Sequence, residues 1–455
     1  MTDAAKKTAR RTGLLLAAVL GSAACSNKQS LNVTCGSDLT CAPAADPPAG
    51  ASSGPAGLAP FAPPADPGPG GVTFAASGEV LALAGYPFPP ASPGDPAFAD
   101  GWSVQFTRLL VTLDDLTLSN GPNVSPGDQS CTEPVVAKVS GPWAIDLAHA
   151  DPRYLPGKGG GGEQAVPFAA LSHQNYPPGN DAAFDTGGAT PYAFGFDVVP
   201  ATTAAMNVNL DAAALGDYGQ MIADGCTVLY AGTATFAGTR CTCPTAGDPG
   251  APCDPDVYGP GKGWPQAGDS VPFHLCFRAP VSYLNCQNPD NTGAPLAGDE
   301  FQRGITFQAS APVVAQVTIH TDHPFWDSVL HDTPVHFDQL AARVAGMRPA
   351  GPAGTPVTYP TVTLEMTRGV DYRRVKDALG NVLPWRYCAP PDTSVHAPFV
   401  GAMAFDAESV APAPGTDACQ GLRDYYDFAT YDQSTQGHLD SDGLCYVVRH
   451  YPSPR

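Results

Sequence analysis

From Val72 onward the chain is written in short runs of β-branched and aromatic residues, each soon closed by glycine, proline or asparagine. Trp102-Ser-Val-Gln-Phe-Thr-Arg alternates apolar and polar residues, so one side of an extended segment is oily and the other wet. Similar runs start at Val72 and span Glu79–Leu83, Leu116–Leu118, Trp143–Leu147, Ala193–Val199, Thr227–Phe236 and Val271–Phe277. More follow at Ile305–Gln308, Val313–His320, Thr361–Glu365, Phe399–Phe405 and Cys445–His450. Runs this short bury their apolar side only by facing a second sheet. They predict a mainly β fold, an antiparallel β-sandwich, either one elaborated sandwich or two packed ones. Pro 50, Gly 49 and only 15% charged residues point to a loop-rich β protein rather than a helical one. Two helical stretches interrupt the strands, Asp211–Ala223 and a pair of short helices near residue 330.

Pro156-Gly-Lys-Gly with Val166-Pro-Phe and Pro260-Gly-Lys-Gly with Val271-Pro-Phe hint at two related β units. A boundary between such units would fall near 240–270. Neither Gly-Lys-Gly stretch continues into Ser or Thr, so these are turns rather than phosphate loops. The chain has no Gly-x-Ser-x-Gly elbow to support a serine hydrolase.

The stretch from Val317 to Asp338 carries four of the ten histidines, His320, His323, His331 and His336, interleaved with Asp322, Asp327, Asp332 and Asp338. Neutral imidazole and carboxylate are ligands that borderline divalent metals accept. Val313–His320 reads as a strand. Asp322 or His323 then caps a helix with Pro324 in its first position, where a missing N–H costs nothing. In that helix His323, Asp327 and His331 recur every four residues beside an apolar side of Phe325, Trp326, Val329 and Leu330. Thr333-Pro334 ends it, and Phe337, Leu340, Ala341 and Val344 form the core side of a second helix. The functional reading is a copper or zinc site of His320, His323 and His331, with Asp327 as ligand or supporting partner and His336 as an optional fourth. The competing reading is that the aspartates cap two short helices while the histidines bond locally. A metal-dependent hydrolase or oxidase using the same cluster, and a structural or adhesion protein without metal, are the alternatives to a binding protein.

Asp440-Ser-Asp-Gly443 is half of a calcium-loop pattern without its distal glutamate, and reads better as a turn. Tyr425, Tyr426 and Tyr431 offer either a sugar-binding surface or plain packing.

Lys6, Lys7, Arg10 and Arg11 precede an apolar run from Leu14 to Leu20, then Gly21-Ser-Ala-Ala-Cys25. That order predicts an export signal over residues 1–24. Its end resembles the lipobox of bacterial lipoproteins, with Ser22 where that motif usually carries leucine. The resemblance implies cleavage before Cys25 and lipidation of that cysteine, hence a membrane partner through the N-terminal lipid. Residues 25–71, rich in Ala, Pro and Gly from Ala42 to Gly71, read as a tether, and 72–455 as the β-rich domain. The other twelve of the Cys 13 are enough for disulfide staples in an oxidising envelope compartment. The formal net charge of -20 argues against nucleic acid as a partner. A protein partner in the envelope is left unspecified.

The lipobox-like start, the tether, the His320–Asp338 stretch and the Asp424–Cys445 tail together resemble uncharacterised secreted lipoproteins of high-GC Gram-negative bacteria. A looser resemblance, through Trp102–Leu118, Trp143–Leu147 and Ala193–Asn209, is to periplasmic copper-binding β-sandwich proteins. It implies a sandwich and carries over no site residue.

Overall fold

The computed structural model describes residues 57–450 apart from 92–94, 99, 123–133, 174–183, 188–190, 239–242, 246–247, 252–264, 297, 327–334, 370–387, 392–402 and 406–424. The strand Trp102–Ser119 (18 residues) is the spine of the larger sheet. Its first half, from Trp102 to Val111, pairs antiparallel with Val228–Phe236. That strand pairs in turn with Ser270–Phe277. The spine's second half runs beside Ala193–Val198 and Val135–Val139. Two runs expected as separate strands, the one opening at Trp102 and Leu116–Leu118, are therefore one. Asp115 bends the spine instead of breaking it, with φ 45. A register shift at Ala231/Gly232 lets the neighbour follow the twist. Glycine is required there, since a Cβ on Gly232 would lie 2.2 Å from the Gln105 carbonyl.

The smaller sheet orders Gly443–Leu444, Gly437–Leu439, Val313–Ile319, Val72–Ser77, Gln164–Leu171 and Leu155–Pro156. It lies face to face with the larger one. Phe74 stacks on Phe194 with ring centroids 5.9 Å apart, and Trp143 meets Phe168 edge-on at 5.0 Å. These rings fill the space between sheets, as expected for a sandwich.

The sheets are mixed rather than strictly antiparallel. Val72–Ser77 runs parallel to Val313–Ile319, and Phe273 and His274 face Val362 and Thr363 in parallel register. The chain between such partners is long enough for a crossover, which local alternation cannot reveal. Gln164–Leu171 and Val281–Leu284 are further strands whose runs are less β-branched. Ile305 and Gln308 form only isolated bridges.

Glu79–Ala84, expected as a strand, is a short helix. Alternating apolar residues in so brief a run fit either period, and Leu and Ala favour the helix. The helix Ala212–Asp224 matches expectation. Asp211 caps it by accepting the Ala214 N–H at 2.7 Å, and Gly225 (φ 72) closes it in the left-handed region. Its Ala214, Tyr218 and Met221 pack on Leu110 and Leu229 on the outer face of the larger sheet.

Residues 57–71, read from sequence as the end of the tether, run along the domain. Ala59–Pro60 pairs with Met206–Asn207, and the Arg153 guanidinium sits over the Phe61 ring. Cys226–Cys276 joins adjacent strands of the larger sheet, and Cys286–Cys445 ties the last strands to the body. Among the described residues no helix is long and apolar enough to cross a membrane. Disulfides of this kind are compatible with export to an oxidising compartment. Cys25 and residues 1–56 lie outside the described residues.

Candidate metal centre

Val72–Ser77 and Val313–Ile319 run in register, Val72 opposite Val313 and Ser77 opposite Thr318, so they end together. The chain leaves the first strand into Gly78-Glu79 and the second into His320. Across the other edge of Val313–Ile319, Thr318 faces His438 of Gly437–Leu439. Three segments distant in sequence thus meet at one end of the smaller sheet.

The strand ends at His320 because the next residues are drawn into the core. Thr321 is fully buried and bonded to the Tyr86 hydroxyl at 2.6 Å. His323–Phe325 forms one tight turn, closed by the Phe325 N–H to the Asp322 carbonyl at 2.8 Å. Phe325 anchors the turn in a nest of Phe98, Phe106, Phe273 and Phe337. The turn does not continue as the expected helix: Trp326 is extended, with ψ 153. Pinning of Phe325 outweighs the local helix pattern here. Asp327 and His331 lie outside the described residues.

The ligand-capable atoms of His320, Asp322 and His323 lie within 4.8 Å of one another. His336 is not brought to them. It follows the turn, its N–H bonded to the Phe325 carbonyl, and its imidazole faces the buried carboxylate of Asp100. Burial pushes Asp100 up, and His336 and the Phe337 and Asp338 N–H groups draw it back. Asp100 thereby caps the short helix Asp338–Ala341, whose Leu340 and Ala341, with Phe337 and Val344, are buried as expected.

Each histidine of the cluster is held through one ring nitrogen by a fixed acceptor. His320 Nε2 lies 3.0 Å from the Ser441 carbonyl, which can only accept, so Nε2 carries the hydrogen. The neutral ring then carries its lone pair on Nδ1. The Thr435 hydroxyl donates to the Asp432 carbonyl at 2.7 Å and so accepts from His323 Nδ1, 2.8 Å away. The neutral His323 ring carries its lone pair on Nε2. Orientation of imidazoles by such outer acceptors is how proteins prepare metal-binding histidines.

Sequence reasoning missed two neighbours. His438 packs against both imidazoles, with centroids 4.1 Å from His320 and 5.8 Å from His323. Glu79 Oε1 lies 3.5 Å from His320 Nδ1. Burial pushes the Glu79 carboxyl up to about 7; His320 opposes this, while Asp322, Glu163 and Asp442 add to it. Burial alone would lower His320, but Glu79, Asp322 and the Ser441 carbonyl outweigh it and its direction is upward. Asp322 Oδ1 is buried and accepts no hydrogen bond.

Behind the cluster lies a polar network. Glu163 accepts from Ser77 at 2.5 Å and from the Gln316 side chain at 2.8 Å, and Asp440 accepts from the Gln316 backbone at 3.0 Å. Asp440 takes the left-handed conformation, φ 56, at the turn read from its Asp-Ser-Asp-Gly sequence. Burial pushes its carboxyl up to about 7. Its side chain is committed to a strand, which fits the turn reading rather than a calcium loop. Tyr425, Tyr426 and Tyr431 are buried, so they pack rather than offer a sugar platform.

Comparison with protein-family models, with curated proteins and with solved structures gives no match, so the residues of this cluster are the basis for any functional reading.

Proposed function

We propose that this chain is an exported, Cys25-anchored cell-envelope protein that binds one divalent transition-metal ion, zinc or copper(II). The ligands are His320 through Nδ1, Asp322, and His323 through Nε2. The observation that carries the reading is the closeness of the three residues, whose ligand-capable atoms lie within 4.8 Å of one another, with Ser441 and Thr435 each holding the other nitrogen of one imidazole. A buried Asp322 oxygen without a hydrogen bond is costly unless a cation supplies the missing interaction. The group contains no sulfur donor, which disfavours copper(I) and favours the borderline dications.

The test is elemental analysis of the full chain, produced through an oxidising compartment and challenged with Zn²⁺ or Cu²⁺. The His320→Ala/His323→Ala variant is run beside it. About one equivalent of metal, lost in the variant, is expected for a site of this donor set. Wild-type protein that retains no metal after the challenge would remove the proposal. Anchoring is read separately, from whether Cys25→Ala leaves the membrane fraction.

A further inference from the structure

His320 faces two acceptors that compete for its ring hydrogen. The Ser441 carbonyl lies 3.0 Å from Nε2, and Glu79 Oε1 lies 3.5 Å from Nδ1. A neutral imidazole carries one hydrogen, so a lone pair on Nδ1 requires that Ser441 hold it. How firmly the Ser441 carbonyl is placed therefore decides which nitrogen of His320 is open to an ion. The Ser441 hydroxyl is directed to Asp442 rather than to the strand, so the anchor lies elsewhere.

Asp440 supplies it. This residue follows Gly437–Leu439 and lies in the left-handed region, φ 56, which aspartate and asparagine tolerate better than other residues with a Cβ. There it is clasped to Val313–Ile319 at three points. Its N–H donates to the Gln316 carbonyl at 2.7 Å, its Oδ1 accepts the Gln316 N–H at 3.0 Å, and its carbonyl accepts the Thr318 hydroxyl. All three residues are buried. The direction of the third bond is fixed by the side chain of Gln316. Its Oε1 accepts the Lys158 N–H at 2.9 Å, and its Nε2 donates to Thr318 Oγ1 at 2.7 Å. The Thr318 hydrogen therefore goes to Asp440. Gln316, Thr318 and His320 alternate along one strand and share a face, so the clasp and the imidazole lie side by side.

We infer that Asp440 is a positioning residue for the metal centre: its clasp on Gln316 and Thr318 sets the Ser441 carbonyl against His320 Nε2 and so keeps Nδ1 open for a metal ion. This rests on the metal-binding reading above, yet the tautomer concerned is a property of the metal-free chain. Asp440 acts through Ser441 and is not itself a ligand.

The experiment records ¹⁵N NMR spectra of the histidine side chains in the metal-free full chain, above the titration of His320, with His320→Ala identifying the ring. Zn²⁺ affinity is measured on the same proteins by chelator competition. Asp440→Asn keeps an acceptor and tolerates the left-handed backbone, whereas Asp440→Gly keeps that backbone and loses the acceptor. Thr318→Val removes another point of the clasp at unchanged shape, and decides the matter if Asp440→Gly does not fold. Wild type and Asp440→Asn are expected to carry the hydrogen on Nε2. Asp440→Gly and Thr318→Val are expected to shift it partly to Nδ1 and to bind Zn²⁺ about 3–10-fold more weakly, less than the roughly 10–100-fold typical of losing a direct partner. A wild-type tautomer and affinity in folded Asp440→Gly or Thr318→Val would overturn the positioning role and leave the metal site standing. Hydrogen on Nδ1 in wild type would overturn it as well. The expected tautomer shifts in a protein that binds no Zn²⁺ would uphold the hold of Asp440 on His320 and remove the metal reading.

Discussion

The assignment of the His323 proton makes a prediction that a single hydroxyl decides. Thr435→Val replaces that hydroxyl by a methyl group of the same shape at a position 5% exposed. The Asp432 carbonyl keeps a partner, because the Thr435 backbone N–H also reaches it at 2.9 Å. His323, itself 2% exposed, loses the acceptor of its Nδ1 hydrogen. An orphaned buried donor costs about 1–3 kcal/mol, and the extra buried methyl returns about 0.8 kcal/mol. Metal-free Thr435→Val should therefore be about 0.2–2.2 kcal/mol less stable than wild type. Its effect on metal binding should be larger. Loss of the outer partner of a ligating histidine typically weakens binding by about 10–100-fold, or roughly 1.4–2.8 kcal/mol. The assay is urea denaturation with chelator and with excess Zn²⁺, beside a direct competition measurement of affinity. The stabilisation gained from Zn²⁺ should shrink in Thr435→Val and return in Thr435→Ser. Unchanged Zn²⁺ affinity in Thr435→Val, in a protein whose His320→Ala form has lost it, would refute the proton assignment.

Further outcomes follow from groups away from the cluster. Burial, reinforced by Asp115 and Asp114 and opposed by a hydrogen bond from Ser282, pushes the Asp197 carboxyl up to about 6 from 3.8. The folded chain thus holds a proton that the unfolded chain releases earlier. That contribution to stability is full below about pH 4 and is lost as pH rises to about 6. Asp197→Asn should flatten this slope and be about 2 kcal/mol more stable than wild type at pH 7.5, in denaturation curves across that range; a slope identical to wild type would contradict it. Phe325→Ala, which empties the centre of an aromatic nest, should cost about 4 kcal/mol in a urea titration, and a loss under about 1 kcal/mol would show that the nest is not packed. Breaking Cys286–Cys445, whose partners are 159 residues apart, with Cys286→Ala/Cys445→Ala should cost about 5 kcal/mol on chain-entropy grounds. A change within experimental scatter would mean that the last strands hold without their staple.

Individual strands were legible where the side-chain code is local. Thr227–Phe236 and Val271–Phe277 alternate or are densely β-branched, and the structure places strands at Val228–Phe236 and Ser270–Phe277. The stretch after Asp211 was legible as helical, while its cap is seen only in the structure. What local reading could not supply was partnership across long loops. The parallel pairing of Val72–Ser77 with Val313–Ile319 leaves no trace in either run, yet it brings Glu79 to His320. Glu79 itself sat in a run whose period fitted a strand equally well. His320 and His323 were found because they lie three residues apart on a strand exit. Asp322 was read as a cap, although its carboxylate lies within 4.8 Å of a ligand-capable nitrogen of each. Spacing by four added Asp327 and His331, which lie outside the described residues. His438 carried a weaker signal, a histidine beside Asp440-Ser-Asp-Gly, and only the sheet topology gives it meaning.

The smaller sheet has a consequence for the order of events in the life of the chain. Its central strand Val313–Ile319 lies between Val72–Ser77 and Gly437–Leu439, so its end is built from the earliest and the latest parts of the domain. The carbonyl that orients His320 belongs to Ser441, and the hydroxyl that orients His323 belongs to Thr435. A partly synthesised chain therefore holds the histidines but not the groups that aim them. Any ion bound here is acquired only after the C-terminal segment has docked, from the compartment in which folding finishes. On the proposed metal reading, the choice of ion would depend on where the last strands close as much as on which side chains close around it.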